Sequence, residues 1–291
     1  MELLNYRKVI TIDGDQNEIL NFLQNIITND IYKINDGPLY ALILSPQGKI
    51  LYDLFISKNN GTGLYLDSPA QYTSEIIDLL NLYIMRRKIQ ITLDNQLAIA
   101  ITSFRELSPD VPIVQKYLDP RSPYLGTRLI IKSSEDKDNQ YDVNHDNLNE
   151  YHLHRLQHSI AELCVDFNTN TYFPFYLRFD EHNKAIDYQK GCYVGQEIVT
   201  RTKHRGVVRK KCYAMKITDC SIAANATPNT SARKLHNAEG KIVGELMSYY
   251  NDLRAAMILV NLNYTDMLFD KNCELTLEDN RDTIRLNGLV E

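Results

Sequence analysis

The chain has 291 residues, of which 44% are hydrophobic and 24% charged, and it carries a formal net charge of −5. That length allows about two domains, and the composition is typical of a folded globular protein rather than of a disordered or fibrous one. The net charge disfavours general binding to nucleic acids or anionic membranes, and no apolar run approaches the roughly 18 to 20 residues that span a bilayer.

The N-terminus and the cysteines together predict a compartment. MELLNYRKVI lacks the apolar core of a secretory leader and the Arg- and Ser-rich character of an organellar one. The five cysteines are odd in number and widely spaced, and none forms a C-x-x-C pair. Neither a disulfide framework nor a zinc site is therefore predicted, and we expect a cytoplasmic protein with reduced thiols and no membrane association.

The first predicted element is a helix in DQNEILNFLQNIITND (15–30). Asp15 is suited to the N-cap, with Glu18 three residues later as in a capping box. An apolar stripe then follows on one helical face. The stripe consists of Ile19, Phe22, Leu23, Ile26 and Ile27.

A hairpin at about 39–57, turning at PQG with Gly48, and a third strand at 63–67 are predicted next. Ser68 and Pro69 predict the cap of a second helix. Its apolar residues are Ile76, Ile77, Leu80 and Ile84.

Further elements are predicted with less regular spacing. Strands are expected near 97–102 and at 128–134, separated by a proline-rich connection at 105–126. A polar surface loop at 133–147 precedes a helix at about 147–163. After about residue 205, short strand-like segments with turn signals between them predict a small barrel or sandwich.

Cys192, within KGCYVGQEIVTR (190–201), is the first candidate for chemistry. Nearby positive charge favours the thiolate form of a cysteine, which is the form that attacks or binds metal. Lys190 precedes Cys192, and Gly191 and Gly195 would let a ligand approach the backbone. The residues alone leave two interpretations open, a reactive thiol or a structural cysteine in a turn. The other four cysteines are predicted to be structural. They are Cys164, Cys212, Cys220 and Cys273.

Two other polar groups remain ambiguous. The cation-rich run RTKHRGVVRKK (201–211) could receive an anionic ligand, a phosphate backbone or an acidic partner, or it could be a solvated strand face. His154 and His158 have a spacing that can bind a metal, and Glu162 extends the same face. His152 lies on the same helix, but no third ligand is evident, so a polar helix surface is the favoured interpretation there.

Four blocks of sequence resemble one known family. KGCYVGQE followed by VTRTKHRG resembles the signature of YgfZ-type proteins. These are folate-binding relatives of the glycine-cleavage aminomethyltransferase that support maturation or repair of iron–sulfur enzymes, and tRNA thiomethylation depends on them. FLQNIITND (22–30), LSPQGKILYD (44–53) and DPRSPYLGTRLI (119–130) match further blocks, with weaker similarity at EGKIVGELMS. The resemblance covers essentially the whole chain.

The resemblance implies an α+β fold of the aminomethyltransferase type, a three-lobed ring with a C-terminal β-barrel. Residues 1–204 would form the folate-binding region, built from two interleaved α/β subdomains of which one spans roughly 33–115. Residues 205–291 would form the barrel domain.

The resemblance also implies the site. Cys192 would be the functional thiol and a transient ligand of a shared iron–sulfur cluster, with no permanent metal. Tetrahydrofolate would be the cofactor. Its implied binding residues are Asn29, Asp53, Lys190, Tyr193, Gln196, Glu197 and Arg201. Tyr176 stands where the family has a folate-binding glutamate, with Asp180 and Glu181 as substitutes.

The implied function is an accessory factor for assembly or repair of 4Fe–4S enzymes that supports tRNA modification indirectly. Its partners would be an A-type iron–sulfur carrier and client enzymes, and direct tRNA binding is not expected from the net charge. The alternative is a tetrahydrofolate-dependent aminomethyltransferase or another one-carbon enzyme. Such transferases have two adjacent acids where this chain has Tyr52 and Asp53.

Overall fold

The computed structural model describes residues 1–102, 111–133, 148–181, 185–221, 232–278 and 282–290. The chain forms two compact units. The first consists of Met1–Tyr151 with Phe179–Thr200, and the second of His152–Arg178 with Arg201–Glu291. Each unit is therefore assembled from two separate stretches of sequence.

The first unit contains two antiparallel sheets. Its strands are β1 (Glu2–Leu3), β2 (Arg7–Gly14), β3 (Leu39–Leu44), β4 (Ile50–Lys58), β5 (Leu64–Pro69), β6 (Ile89–Asp94), β7 (Leu97–Thr102), β8 (Ile113–Leu118) and β9 (Thr127–Lys132). One sheet has the order β3–β4–β5–β2–β6, and the other has the order β1–β7–β9–β8. Helices α1 (Gln16–Gln24) and α2 (Thr73–Ile84) share a buried apolar core with the five-stranded sheet.

Helix α1 confirms the predicted helix, its N-cap and its buried stripe, but not the capping box. Asp15 accepts a hydrogen bond from the Glu18 amide at 3.0 Å, as an N-cap should. The Glu18 carboxylate accepts a bond from the Lys88 amide at 3.1 Å rather than completing a capping box. The helix ends at Gln24, earlier than predicted, but the apolar stripe is buried along its whole length.

The next predictions are partly right. Strands β3 and β4 form the expected hairpin, and Gly48 has a φ of +80° at its turn. The helix cap predicted at Ser68 and Pro69 is wrong, because both residues belong to β5 and α2 begins only at Thr73. The Ser68 hydroxyl donates to the Lys8 carbonyl on the neighbouring strand β2.

The connection predicted at 105–126 contains the edge strand β8, which lies between Pro112 and Pro120. Proline is tolerated at the ends of edge strands, so the prolines delimit this strand instead of preventing it. Residues 103–110, and nearly all of the polar loop predicted at 133–147, lie outside the described residues.

A buried cluster of charges joins the two sheets of the first unit. Arg7 on β2 donates to Asp67 at 2.6 Å and to Asp53 at 2.9 Å. Arg128 on β9 donates to the same Asp67 at 2.5 Å and to Asp119 at 3.4 Å. Since β2 and β9 belong to different sheets, Asp67 is bonded from both of them.

The cluster is closed by one more arginine and by an aromatic ring. Arg121 pairs with Asp119 at 2.8 Å, which gives three arginines and three aspartates, none more than 3% exposed. The Phe55 ring lies 5.1, 4.7 and 3.6 Å from the guanidinium carbons of Arg7, Arg121 and Arg128. We call these six charged residues the Arg–Asp cluster. Its charges balance, which is what allows them to be buried.

The second unit is built around a closed antiparallel barrel. Its strands are β10 (Lys210–Cys220), β11 (Arg233–His236), β12 (Ile242–Tyr250), β13 (Ala255–Asn261), β14 (Lys271–Leu277) and β15 (Thr283–Leu289). They close in the order β10–β13–β12–β11–β14–β15 around an apolar core. This confirms the barrel predicted after residue 205. Three further α-helices lie among the described residues, α3 (Asn149–Gln157), α4 (Gln196–Arg205) and α5 (Thr265–Phe269).

A carboxylate bonds the segment before the barrel to strand β12. Asp166 accepts hydrogen bonds from the Arg155 guanidinium and the Glu162 amide, both at 2.8 Å. It also accepts bonds from the hydroxyls of Ser248 and Tyr250 at 2.5 Å. Four donors from two distant stretches of the second unit therefore meet at one buried group.

No helix among the described residues is long and apolar enough to cross a membrane.

Replacing one arginine of the Arg–Asp cluster should destabilise the protein strongly. Arg128→Met leaves Asp67 and Asp119 buried with one cation fewer, which typically costs about 3–5 kcal/mol. Urea unfolding measures the loss. The matched control is Arg285→Met, which breaks an exposed pair with Glu274. It should leave the midpoint of urea unfolding unchanged. Wild-type stability of Arg128→Met would contradict the role given to the cluster.

A second prediction concerns acid stability. Burial, and next the Arg155 guanidinium, lower the pKa of His152 from its usual 6.5 to about 4. Between those values the unfolded chain binds a proton that the folded protein does not, so stability falls as pH drops from 6.5 to 4. The loss amounts to at most about 3 kcal/mol.

His152→Gln keeps an acceptor for Arg155 but does not titrate, so it should flatten that part of the stability profile. His204→Gln, at an exposed histidine, should not. Thermal unfolding measured from pH 4 to 8 compares the two variants, and an identical slope in wild type and His152→Gln would count against this origin.

Candidate functional site

Cys192 lies at an exposed tip. It is the exposed member of the five cysteines, whereas Cys212 is buried and the others are partly buried. Gly191 beside it is also exposed, and a Cβ added there would meet nothing within 4 Å. Lys190 and Tyr193, on either side of these two residues, are only 9% and 8% exposed. The thiol is thus presented between two buried side chains.

We call residues 185–195 the cysteine segment and residues 25–29 the 25–29 turn. Three hydrogen bonds join them. The Thr28 hydroxyl donates to the Ala185 carbonyl at 2.6 Å, and the Asp187 amide donates to the Thr28 carbonyl at 3.0 Å. The Val194 amide donates to the Asn25 carbonyl at 3.4 Å. Through the Val194 bond, the FLQNIITND block is in direct contact with the block that contains Cys192.

Lys190 adds a further connection between the same two elements. Its amine donates to the carbonyls of Ile27 at 2.6 Å and Asn29 at 2.7 Å. Burial lowers the pKa of Lys190 to about 8, opposed by the nearby carboxylates of Asp30 and Asp187. We expected Lys190 to supply positive charge to Cys192, but the structure directs its amine to backbone carbonyls.

Two glycines bring a third block into the site. Gly195 has a φ of +83°, and a Cβ there would lie 2.6 Å from the Ser45 carbonyl oxygen and 3.4 Å from Gly48 Cα. A Cβ on Gly48 would lie 2.9 Å from the Cβ of Ile198 in the first turn of α4. The PQG turn and the cysteine segment therefore approach as closely as they do because neither glycine has a side chain.

The remaining predicted binding residues have different surroundings. Asn29 donates its amide to the Tyr40 carbonyl at 2.9 Å, and Asp53 is fully buried in the Arg–Asp cluster. The Gln196 side chain accepts a bond from the Tyr193 amide at 3.3 Å. Glu197 is exposed on helix α4.

Arg201 is also exposed and belongs to the second unit. The cation-rich run is divided between the end of α4 and the start of β10. Lys203, Arg205 and Arg209 are exposed as well, while Lys210 pairs with Glu245 at 2.5 Å. Most of this run is thus an exposed cationic surface.

The polar helix surface expected around His154 and Glu162 is only partly correct. Helix α3 ends at Gln157, so His158 lies beyond it. Glu162 is fully buried, and its carboxylate lies 3.3 Å from Arg155 Nε. An ion pair inside the second unit accounts for the acid better than a solvated helix face. Across the described residues, no three His, Cys, Asp or Glu side chains are grouped so as to hold a metal ion.

Tyr176, at the position of the expected folate carboxylate, is half-buried. Its ring packs edge-on against Phe173 with the centroids 5.6 Å apart, and its carbonyl accepts a bond from the Cys212 amide. This position therefore contributes an aromatic contact and a backbone acceptor within the second unit.

The sequence did not single out Thr28 as a site residue, although it lies in a block that carried the resemblance. Its hydroxyl and carbonyl both bond the cysteine segment, and the Leu42 amide donates to the same hydroxyl at 2.9 Å. A threonine within a polar turn gives no pattern from which such distant bonds can be predicted.

Known proteins resemble this chain in sequence and in fold. No family model matches the chain. A relative from Pyricularia oryzae, named an iron–sulfur cluster assembly factor IBA57 homolog, mitochondrial, is 30% identical over 216 residues, which cover 72% of this chain and 55% of the relative. The chain is similar to iron–sulfur cluster assembly factors. A like-named protein from Mycosarcoma maydis is 27% identical over 270 residues, covering 87% of this chain and 64% of that relative.

The chain thus spans between about half and two thirds of the length of these two relatives. Among solved structures, the glycine cleavage system aminomethyltransferase T from Bartonella henselae matches with a TM-score of 0.67 at 14% identity, over 98% of this chain and 84% of that one. The likeness shows the fold, so the predicted aminomethyltransferase-type fold is confirmed. The similarity to iron–sulfur assembly factors is confirmed with it, and the narrower YgfZ-type assignment stays a prediction.

The predicted cytoplasmic location is wrong. The relatives from Pyricularia, Mycosarcoma and Chaetomium are all named as mitochondrial proteins. The prediction rested on the N-terminal residues and on the unpaired cysteines. Unpaired cysteines indicate reducing conditions and do not distinguish one reducing compartment from another.

Gly195→Ala should disturb the site directly. A Cβ there combines a left-handed backbone with a 2.6 Å contact to a carbonyl oxygen, so a loss of roughly 2 kcal/mol is expected. Thermal unfolding and the rate of Cys192 alkylation measure it. Gly191→Ala, where a Cβ meets open space, is the matched control and should match wild type in stability. Equal stability of both variants would refute the close contact.

Proposed function

We propose that the chain is a mitochondrial accessory factor for the assembly or repair of 4Fe–4S enzymes and acts through Cys192. The main support is the convergence on one exposed thiol of three blocks that are far apart in sequence. The 25–29 turn and the PQG turn hold the cysteine segment, which carries that thiol, through backbone bonds and close glycine contacts. The names of the relatives add independent support.

A partner must supply the remaining ligands. An iron–sulfur cluster is usually held by four side chains, and Cys192 offers one. The cluster would therefore be a substrate shared for a short time with an A-type carrier and passed to client iron–sulfur enzymes. Effects on tRNA modification would follow from a client enzyme of this kind, without direct binding of tRNA.

Tetrahydrofolate is proposed only from the family resemblance, and the residues implied for it fit poorly. Both carboxylate oxygens of Asp53 accept internal bonds, from Arg7 at 2.9 Å and from the Tyr40 hydroxyl at 3.0 Å. The amine of Lys190 and the amide of Asn29 are bonded to backbone carbonyls. No chemical step is therefore assigned to folate, and its binding is tested by equilibrium dialysis against tetrahydrofolate.

The same bonding of Asp53 argues against the alternative of an aminomethyltransferase. Electrostatic catalysis beside a folate needs a carboxylate directed at the ligand, and this one is fully buried among arginines. The structural likeness to a transferase is at 14% identity and concerns the fold alone. Turnover in a glycine-cleavage assay would favour the transferase.

Cys192→Ser should strongly slow cluster delivery while the protein stays folded. We expect anaerobic transfer from an A-type carrier to an apo 4Fe–4S enzyme to slow at least about tenfold, because the serine hydroxyl is a poor cluster ligand. The matched control is Cys273→Ser, a partly buried barrel cysteine that should retain transfer. Circular dichroism verifies folding. Wild-type transfer by folded Cys192→Ser would overturn the proposed function.

A further inference from the structure

Burying Lys190 only to join the cysteine segment to the 25–29 turn would be energetically unfavourable. Its side chain is buried, and its two hydrogen-bond partners are the neutral carbonyls of Ile27 and Asn29 rather than a carboxylate. Burial of an ammonium group without an ion-pair partner is unfavourable, and the lowered pKa has the same cause. Methionine or leucine would fill similar space without that cost. Stability alone therefore gives a weak reason for a lysine here.

The position of Lys190 beside the exposed thiol gives a stronger reason for a lysine there. Lys190 is separated from Cys192 by one glycine, and the pair Gly191–Cys192 is exposed between the buried side chains of Lys190 and Tyr193. The amine lies 5.2 Å from the centre of the Tyr193 ring, within the range of a cation–π contact. A Cβ added at Gly191 would meet nothing within 4 Å, so packing at that residue does not fix the backbone beside the thiol.

The bonds of Lys190 also differ in kind from the other links. The bonds at Ala185 and Asp187 lie five or more residues before Cys192, and the bond of Val194, two residues after Cys192, is made by a backbone amide. Lys190 is the described side chain that fixes the segment's middle to the 25–29 turn. Its two acceptors are two residues apart, so a single amine fixes both the position and the direction of the backbone before the tip.

We propose that Lys190 is a positioning residue for Cys192, whose two bonds to the 25–29 turn hold the exposed thiol in one place and direction for an acceptor that reaches it from solvent. The proposal rests on the function proposed above for its chemical consequence, but its structural content can be measured separately. Misplacing a reacting group by about 1 Å can slow a transfer by roughly 100-fold.

The structural test uses a nitroxide spin label on Cys192, in a background where the partly buried Cys164, Cys220 and Cys273 are serine. Lys190→Met removes both bonds and should change the label's spectrum from immobilised to mobile at a temperature well below unfolding. Lys190→Gln, which can still donate to one carbonyl, should be intermediate and serves if the methionine variant does not fold. An immobilised spectrum in both variants would overturn the proposal.

The matched control is Lys33→Met. Lys33 also bonds the cysteine segment, through Asp187 at 2.6 Å, but its side chain is 54% exposed and distant in sequence from the tip. Its label spectrum should remain that of the parent background. If Lys190 were merely structural, its loss would lower the unfolding temperature without mobilising the label in the folded protein, and that result also contradicts the proposal.

Cluster transfer then separates the two proposals. With Cys192 unlabelled, Lys190→Met should slow transfer about 10- to 100-fold, and Lys33→Met should not. A mobile label together with transfer that does not depend on Cys192 would refute the proposed function and leave the positioning role intact. An immobile label with transfer that depends on Cys192 would refute the positioning role alone.

Discussion

Three guanidinium groups gathered around the ring of Phe55 hold the first unit together. Arg7 and Arg128 come from different sheets and share Asp67, so neither sheet can shift without breaking bonds to the other. Buried charges of this kind tolerate no missing member, because each lost partner leaves an uncompensated charge in the interior. The cluster therefore specifies one arrangement of the sheets more strongly than apolar packing alone would.

The site depends on this cluster through a short series of hydrogen bonds. Tyr40 donates its hydroxyl to Asp53 in the cluster and accepts the Asn29 amide at its carbonyl. The carbonyl of Asn29 in turn accepts the amine of Lys190, one glycine away from Cys192. Asp53, which the family resemblance implies as a folate-binding residue, is here a structural group at the start of that series. This use of Asp53 agrees with the proposal that the chemistry takes place at Cys192.

Sequence predicted the elements whose determinants are local. Asp15 caps α1 because the cap and its amide are three residues apart, and the PQG turn needs only Gly48 to adopt positive φ. Strand β8 was missed because its prolines suggested a loop, and only its edge position makes them acceptable.

Within the site, the block pattern identified Cys192 and its neighbours but not the direction of their side chains. Lys190 was expected to face the thiol, and Glu162 was expected on a polar surface. Lys190 is buried against carbonyls more than 150 residues away in sequence. Glu162 is buried beside Arg155, at a spacing for which no helix or strand pattern predicts a contact. Charged residues are the hardest to place from sequence because their burial depends wholly on the partners that tertiary structure brings to them.

The interleaving of the two units has a consequence for biosynthesis. A ribosome makes the first stretch of the first unit, then residues 152–178 of the second, and only afterwards the residues 179–200 that complete the first. The hydrogen bonds of the 25–29 turn to the cysteine segment can therefore form only after residues more than 150 positions later have been synthesised. Because domains fold as units during synthesis, the cysteine segment is the final piece of its unit to be added. Cys192 is thus synthesised in the same late stretch of sequence that completes the first unit.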